Sequence, residues 1–236
     1  MLAIEALTKR FGGVVAVDGV SFGVNAGEVV GLIGPNGAGK TTVLNLVTGF
    51  SRPSAGKVLF NGKEVTGTPP YALAKLGIVR TFQTTSLFSR MTVLENVRIG
   101  THLRAGRRKW QAIGAILEEM SLTKFRDFAA NSLPYGVQRR LEIAVALAAD
   151  PKLLLLDEPA AGMNPEETQR LIEELKLIIR KNITIVLVEH NMRFVAQVCQ
   201  RIVVLHRGRK IAEGVPGEVL ELPQVIEIYL GKRRYA

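Results

Sequence analysis

Residues 34–41 read G-P-N-G-A-G-K-T, the G-x-x-x-x-G-K-[S/T] pattern of a phosphate loop. This octapeptide restricts local structure more than any other part of the chain. Gly34, Gly37 and Gly39 let the backbone turn tightly and aim successive N–H groups inward at a polyphosphate. Lys40 supplies a point charge for the β- and γ-phosphates, and the Thr41 hydroxyl is placed to ligate Mg²⁺. Pro35, Asn36 and Ala38 fill the open positions, and Thr42 carries the chain on into a helix. The flanks agree: E-V-V-G-L-I at Glu28–Ile33 predicts a buried strand, and Thr41–Thr48 predicts a helix. An anion then sits at a helix N-terminus, where orphan N–H groups and the macrodipole favour negative charge. In a chain of this length the pattern arises by chance about once in a hundred sequences. Residues 34–42 are therefore the candidate nucleotide site, with Mg²⁺ expected at Thr41.

A second stretch, P-K-L-L-L-L-D-E-P at 151–159, bears on the same chemistry. Four consecutive leucines predict a strand buried on both faces, and open α/β sheets bind ligands at the C-terminal edges of such strands. Two carboxylates at that edge are costly unless used. Asp157 can hold Mg²⁺ through its water shell. Glu158 can orient the water attacking a γ-phosphate, or take its proton.

Around these motifs the chain has a readable order. Leu2–Leu7, Val14–Val20 and Lys57–Phe60 are strand-like, and Asn61-Gly62 is a hairpin signal leading into Lys63–Val65. After position 83 the character changes. Thr92–Ile99 opens with a capping-box pattern (Thr92, Glu95), and Trp110–Met120 and Val137–Ala149 also read as helices. From Pro151 onward strand and helix alternate: Leu153–Leu156, Glu166–Lys181, Ile183–Val188, Asn191–Gln200, Ile202–Leu205. Alternation of this kind predicts βαβ units, a parallel sheet covered by helices. The expected fold is α/β with an added antiparallel β layer and a helical insertion.

Composition narrows the setting. The chain has 236 residues, 47% hydrophobic and 22% charged, enough for one domain with a subdomain. No apolar run approaches the ~18 residues of a membrane span. The N-terminus carries Glu5 inside its apolar part and its basic residues after it, the reverse of a secretory signal, which predicts a cytoplasmic chain. Cys199 is the only cysteine, which excludes an internal disulfide, and it reads as a small buried residue on a helix. The formal charge of +10 calls for an acidic partner, and Arg98, Arg104, Arg107, Arg108 and Lys109 concentrate part of it, as do Lys232, Arg233 and Arg234. No aromatics are interleaved with either cluster, as a single-strand nucleic-acid platform would require. The 98–109 stretch is expected to face an anionic membrane leaflet or a membrane-embedded partner.

Taken in order along the chain, these motifs resemble an ABC transporter ATP-binding subunit over nearly the whole length. Phe11 in K-R-F-G-G resembles the aromatic that stacks on adenine. Gln83 in R-T-F-Q resembles the glutamine that senses Mg²⁺ and water and lies against the membrane subunit. Asp157 and Glu158 match the Mg²⁺-binding aspartate and catalytic glutamate, 161–164 (A-G-M-N) match the D-loop, and His190 in V-E-H matches the switch histidine of the γ-phosphate. The signature, typically L-S-G-G-Q, stands here as Leu133-Pro134-Tyr135-Gly136-Val137. Gly136 is kept, and Pro134 replaces the serine whose hydroxyl would reach an opposing subunit's ATP. The Tyr135-Gly136 signature, the A-A-G-M-N-P segment and the tail G-V-P-G-E-V-L-E-L-P-Q-V-I-E-I-Y-L-G resemble the branched-chain amino acid importer group.

The resemblance implies a RecA-like phosphate-loop core with an antiparallel β subdomain and a helical subdomain. Residues 1–91 would hold the β layer and the first part of the core, 92–150 the helical subdomain with the signature, and 151–236 the second part of the core with C-terminal helices. It implies Mg²⁺-dependent ATP hydrolysis at the cytoplasmic face of the plasma membrane. The implied catalytic set is Lys40, Gln83, Glu158 and His190, the metal set Thr41, Gln83 and Asp157, and the nucleotide set Phe11, residues 34–42 and Gly136. Implied partners are a second ATPase subunit packed head-to-tail, two transmembrane permease subunits and, indirectly, a periplasmic or extracellular solute-binding protein. Urea, amides or aromatic acids are alternative solutes. A soluble ABC ATPase acting on nucleic acid is the rival class, disfavoured because a single compact cassette carries no coiled-coil insertion.

Overall fold

The computed structural model describes residues 1–82, 87–103 and 108–230. In chain order, β1 (Leu2–Phe11) and β2 (Val14–Val24) pair antiparallel, and β3 (Val29–Ile33) leads into the phosphate loop and α1 (Lys40–Val47). β4 (Ala55–Phe60) and β5 (Lys63–Glu64) follow, then α2 (Pro70–Leu76) and β6 (Ile78–Arg80). The helical segment comprises α3 (Val93–Gly100), α4 (Arg108–Glu119) and α5 (Tyr135–Ala148). The chain then alternates through β7 (Leu153–Asp157), α6 (Pro165–Ile179), β8 (Thr184–Val188), α7 (Met192–Val198) and β9 (Arg201–His206). β10 (Arg209–Gly214), α8 (Pro216–Val219) and α9 (Pro223–Leu230) complete it.

Two sheets result. One is four-stranded and antiparallel, in the order β2-β1-β4-β5; the other is six-stranded, in the order β10-β9-β3-β8-β7-β6. All pairings in the larger sheet are parallel except β10 with β9. Its central strands are apolar on both faces because both faces are covered. Val30 and Leu32 of β3, Leu153 and Leu155 of β7 and Val203 and Leu205 of β9 pack toward α1 and the antiparallel sheet. Val29, Ile33, Leu154, Leu156, Ile202 and Val204 pack on the opposite face, in the core shared with α3 to α7. α1 contributes Val43, Leu44, Leu46 and Val47 to the first of these cores. The phosphate-loop helix is thereby fixed on its apolar side, and its N-terminus is left at the sheet edge.

Local chemistry explains most boundaries. Asn61 and Gly62 both have positive φ, 51° and 76°, so the two-residue turn between β4 and β5 suits the strand twist as expected. The capping box of α3 is present, with Thr92 and Glu95 exchanging side-chain and backbone hydrogen bonds. α6 has a second one, Asn164 with Glu167, with Pro165 at its first position. Cys199 is buried, but it stands in extended conformation at the end of α7 rather than on the helix. Arg104, Arg107 and the basic cluster 232–234 lie outside the described residues.

Candidate active site

β3 and α1 deliver the phosphate loop to the C-terminal edge of the larger sheet. Gly39 stands at the N-cap of α1 with φ 101°, and a Cβ there would lie 2.6 Å from the Ala16 carbonyl oxygen. Gly34 is equally confined, since a Cβ would lie 2.2 Å from the Leu205 carbonyl oxygen. Only glycine fits either position, which gives the motif its steric reason. A cleft of about 860 Å³ opens over the loop, lined by Phe11, Ala16, Gly34, Pro35, Asn36, Gly37, Ala38, Gly39, Lys40, Thr41, Thr42, Glu158, His190 and Tyr229. One concavity thus gathers residues 34–42, Phe11, Glu158 and His190 from four separate parts of the chain. Phe11 ends β1, is 54% exposed, and has the Lys9 ammonium 4.9 Å from its ring centroid.

Lys40 is 6% exposed and donates to the Gly34 and Pro35 carbonyls at 2.7 and 3.0 Å. Burial pushes its pKa down, and the Glu158 and Asp157 carboxylates pull it back up. Glu158 follows β7 with φ 49°, a left-handed conformation that costs a non-glycine residue of order 1–3 kcal/mol. The conformation is held by hydrogen bonds: the Glu158 amide donates to the Val188 carbonyl at 2.9 Å, and the Ala161 amide closes a turn onto the Glu158 carbonyl at 3.1 Å. Its carboxylate oxygen lies 3.9 Å from His190 Nδ1.

Asp157 ends β7 behind the cleft. Arg80 Nη2 donates to its Oδ2 at 2.6 Å, and Arg80 Nη1 donates to Asn45 Oδ1 at 2.6 Å, one turn beyond Thr41 on α1. A hydroxyl and a carboxylate are hard oxygen donors of the kind Mg²⁺ takes together with phosphate oxygens and water. Among the described residues no group of three or more His, Cys, Asp or Glu could hold a metal ion. Gln83 lies outside the described residues. Gly136 is buried in the first turn of α5 and is not among the cleft-lining residues. Pro134 is the N-cap of α5 and makes no side-chain capping bond.

Three residues of the site escaped the sequence reading. Glu189, 1% exposed, accepts from the Ala160 amide at 3.0 Å through one oxygen and from the His190 and Asn191 amides at 3.0 and 3.3 Å through the other. It therefore ties the turn carrying Glu158 to the turn carrying His190. Its signal was available, a carboxylate at the end of the buried strand β8. Arg80 could not be found from spacing, because its partner is 77 residues away. Tyr229 reaches the cleft from α9, and burial pushes its phenol up to about 12.

Comparison with known proteins bears on the family and the fold. The ABC transporter family model matches residues 17–161. The chain is 41% identical, over 98% of each sequence, to the high-affinity branched-chain amino acid transport ATP-binding protein BraF of Pseudomonas aeruginosa. The ADP conformation of an ATP-binding cassette of an ABC transporter superposes with a TM-score of 0.90 at 35% identity, covering 98% of this chain and 99% of that one. A dimeric bacterial ABC transporter cassette superposes with a TM-score of 0.81 at 26% identity, covering 92% and 99%. The chain belongs to the ABC transporter family. Its fold is the ABC ATPase cassette, a phosphate-loop core with an antiparallel β layer and a helical segment.

Proposed function

We propose that this chain is the ATP-binding and ATP-hydrolysing subunit of an ABC importer for branched-chain amino acids. The observation that carries the reading is the convergence of Glu158 and His190 on the phosphate-loop cleft, in a chain similar end to end to a branched-chain amino acid transport ATP-binding protein. Phe11 stacks on the adenine, the amides of residues 34–42 cradle the phosphates, and Lys40 turns its ammonium from its own loop carbonyls to the β- and γ-phosphates. Glu158 orients the attacking water and draws its proton, and His190 contacts the γ-phosphate. Thr41 and Asp157, with Gln83, would hold Mg²⁺, which would supply positive charge against the phosphates.

The assembly follows the same reading: a second ATPase subunit head-to-tail, so that Gly136 and its neighbours face the partner's nucleotide, and two permease subunits fed by a solute-binding protein. Permease contact falls on the apolar groove lined by Val79, Phe82, Leu87, Ile99, Val145 and Ala149, beside the segment that carries Gln83. No helix among the described residues is long and apolar enough to cross a membrane, so the permease would hold the subunit at the cytoplasmic face. Residues 1–91, 92–150 and 151–236 remain the proposed division into subdomains.

Phosphate release and ATP binding on purified Glu158→Gln and Lys40→Ala chains test the chemistry. Glu158→Gln is expected to bind ATP and not turn over, and Lys40→Ala to lose binding; wild-type turnover by Glu158→Gln removes Glu158 from the mechanism. Reconstitution with the permease and solute-binding proteins tests the solute. Leucine, isoleucine or valine is expected to stimulate ATPase, and stimulation by urea, an amide or an aromatic acid instead reassigns it.

A further inference from the structure

The signature of this chain differs from the usual one at Tyr135 as well as Pro134, and the tyrosine makes contacts that the glycine it replaces could not. Its hydroxyl donates to the Ala161 carbonyl at 3.0 Å, and accepts from Arg139 Nε at 3.0 Å. Ala161 closes the turn that begins at Glu158, so the hydroxyl grips the far end of the turn carrying the carboxylate. The ring covers the next residue, since a Cβ on Gly162 would lie 3.0 Å from it. Arg139, 4% exposed, lies with its guanidinium carbon 5.5 Å from the Tyr135 ring centroid. Its Nη1 donates to Glu142 Oε2 at 2.8 Å and to the Phe82 carbonyl at 3.2 Å. Phe82 immediately precedes Gln83 in the sequence and lines the apolar groove.

These bonds form one path: Phe82 carbonyl, Arg139, Tyr135 hydroxyl, Ala161 carbonyl, Glu158 turn. Every link is a hydrogen bond of ordinary length, and the central guanidinium is buried where an unmade bond is costly. Glu189 holds the same turn from the other side through the Ala160 amide. The strained left-handed conformation of Glu158 is thus held between the start of α5 and the turn after β8 rather than by its own preference.

We infer that Tyr135 and Arg139 are positioning residues for ATP hydrolysis, setting the Glu158 turn from the signature helix and tying it to the segment that enters Gln83. A shift of that segment reaches Glu158 along this path without passing through the nucleotide. The inference rests on the assignment of Glu158 as the catalytic carboxylate.

The test is steady-state ATPase of the full chain carrying Tyr135→Phe, Arg139→Lys or both, with amide exchange at 158–163 measured in parallel. Tyr135→Phe keeps the ring and removes both hydroxyl bonds; Arg139→Lys keeps the charge opposite Glu142 and loses the fork. Each single variant is expected to lower kcat about five- to tenfold with KM within about twofold, because the loss is in transition-state positioning and not in nucleotide binding. The double variant is expected to be no slower than the slower single variant, since both cut the same path. Exchange at 158–163 is expected to rise in the Tyr135→Phe chain while the melting midpoint stays near that of the wild type. A wild-type kcat in both singles, additive losses in the double, or a KM rise matching the kcat fall overturns the inference. If Glu158→Gln turns over normally, the assignment beneath it fails instead, and the two failures are distinguishable.

Discussion

Replacing Arg80 with leucine strips the Asp157 carboxylate of its guanidinium partner and is expected to cost about 3 kcal/mol of folding stability. The two side chains are 5% and 2% exposed and 2.6 Å apart. Removing one member of so buried a pair typically costs about 3–5 kcal/mol, because an uncompensated charge stays behind. Asp157 also interacts with the Lys40 ammonium, so one cation remains and the low end of that range applies. Loss of the Asn45 contact adds to the cost, and it is offset because leucine no longer buries Arg80 Nε, which has no partner among the described residues. For a chain of this size each kcal/mol moves the thermal midpoint by about 2–4 °C, so a drop of about 6–12 °C is expected. Circular dichroism melts with EDTA and no nucleotide measure it free of ligand stabilisation. The Arg80→Leu/Asp157→Leu double removes both charges, and apolar replacement of a whole buried pair is often neutral, so the double is expected to melt above the single. A single variant within about 2 °C of wild type, or a double melting below it, refutes the reasoning.

Phe11→Ala is expected to weaken ATP binding by about 1–3 kcal/mol, the range for a base stacked on an aromatic, and an unchanged dissociation constant would put the adenine elsewhere. Burial pushes the Cys199 thiol up to about 12. At pH 8 its thiolate is then about one part in ten thousand, and Ellman's reagent is expected to label the native chain at least about a hundredfold more slowly than the urea-unfolded chain. The raised value also means that the folded state holds this proton more tightly. Its contribution to stability is complete below pH 9 and lost as pH rises toward 12, and Cys199→Ala should flatten that alkaline slope in denaturant titrations. Pro134 offers no hydroxyl to an opposing nucleotide, and each missing charge-assisted bond forfeits about 1.5–3 kcal/mol. In a Glu158→Gln background, light scattering with ATP should find the isolated chain weakly associated and the Pro134→Ser chain more dimeric. A tight ATP-dependent homodimer with Pro134 intact would remove the argument for a partner that keeps the serine.

Sequence patterns revealed those parts of this molecule whose cause is local. The phosphate loop is legible because its glycines answer to steric contacts that no other residue tolerates, as at Gly39 beside the Ala16 carbonyl. The central strands are legible because burial on two faces writes an unbroken apolar run, as at Leu153–Leu156. α3 announces its start through Thr92 and Glu95. Where the cause is weaker or shared, the pattern faded. β6 is three residues long, and β10 is a half-exposed edge strand entered through Arg207 and Gly208, a turn with two positive φ values but without the usual asparagine or aspartate.

The candidate site divides along the same line. Residues proposed to meet the nucleotide carry motif spacing, and Phe11, Lys40, Glu158 and His190 do arrive at one cleft. Residues that hold those residues in place answer only to each other. Arg80 with Asp157 and Glu189 with Ala160 are pairs set by how strands β6, β7 and β8 lie side by side, and Tyr135 with Ala161 by how α5 packs on the turn after β7; nothing in the spacing of 80 and 157, or of 135 and 161, marks them. Glu158 shows why the distinction matters for mechanism. Its chemistry follows from being a carboxylate at a strand end, but its φ of 49° is held by hydrogen bonds its turn donates to the Val188 carbonyl and the Glu189 carboxylate and accepts from the Tyr135 hydroxyl. Those three come from β8, the turn after it that carries His190, and the first turn of α5. The geometry of the carboxylate is therefore set by the packing of those elements and not by its own backbone preference.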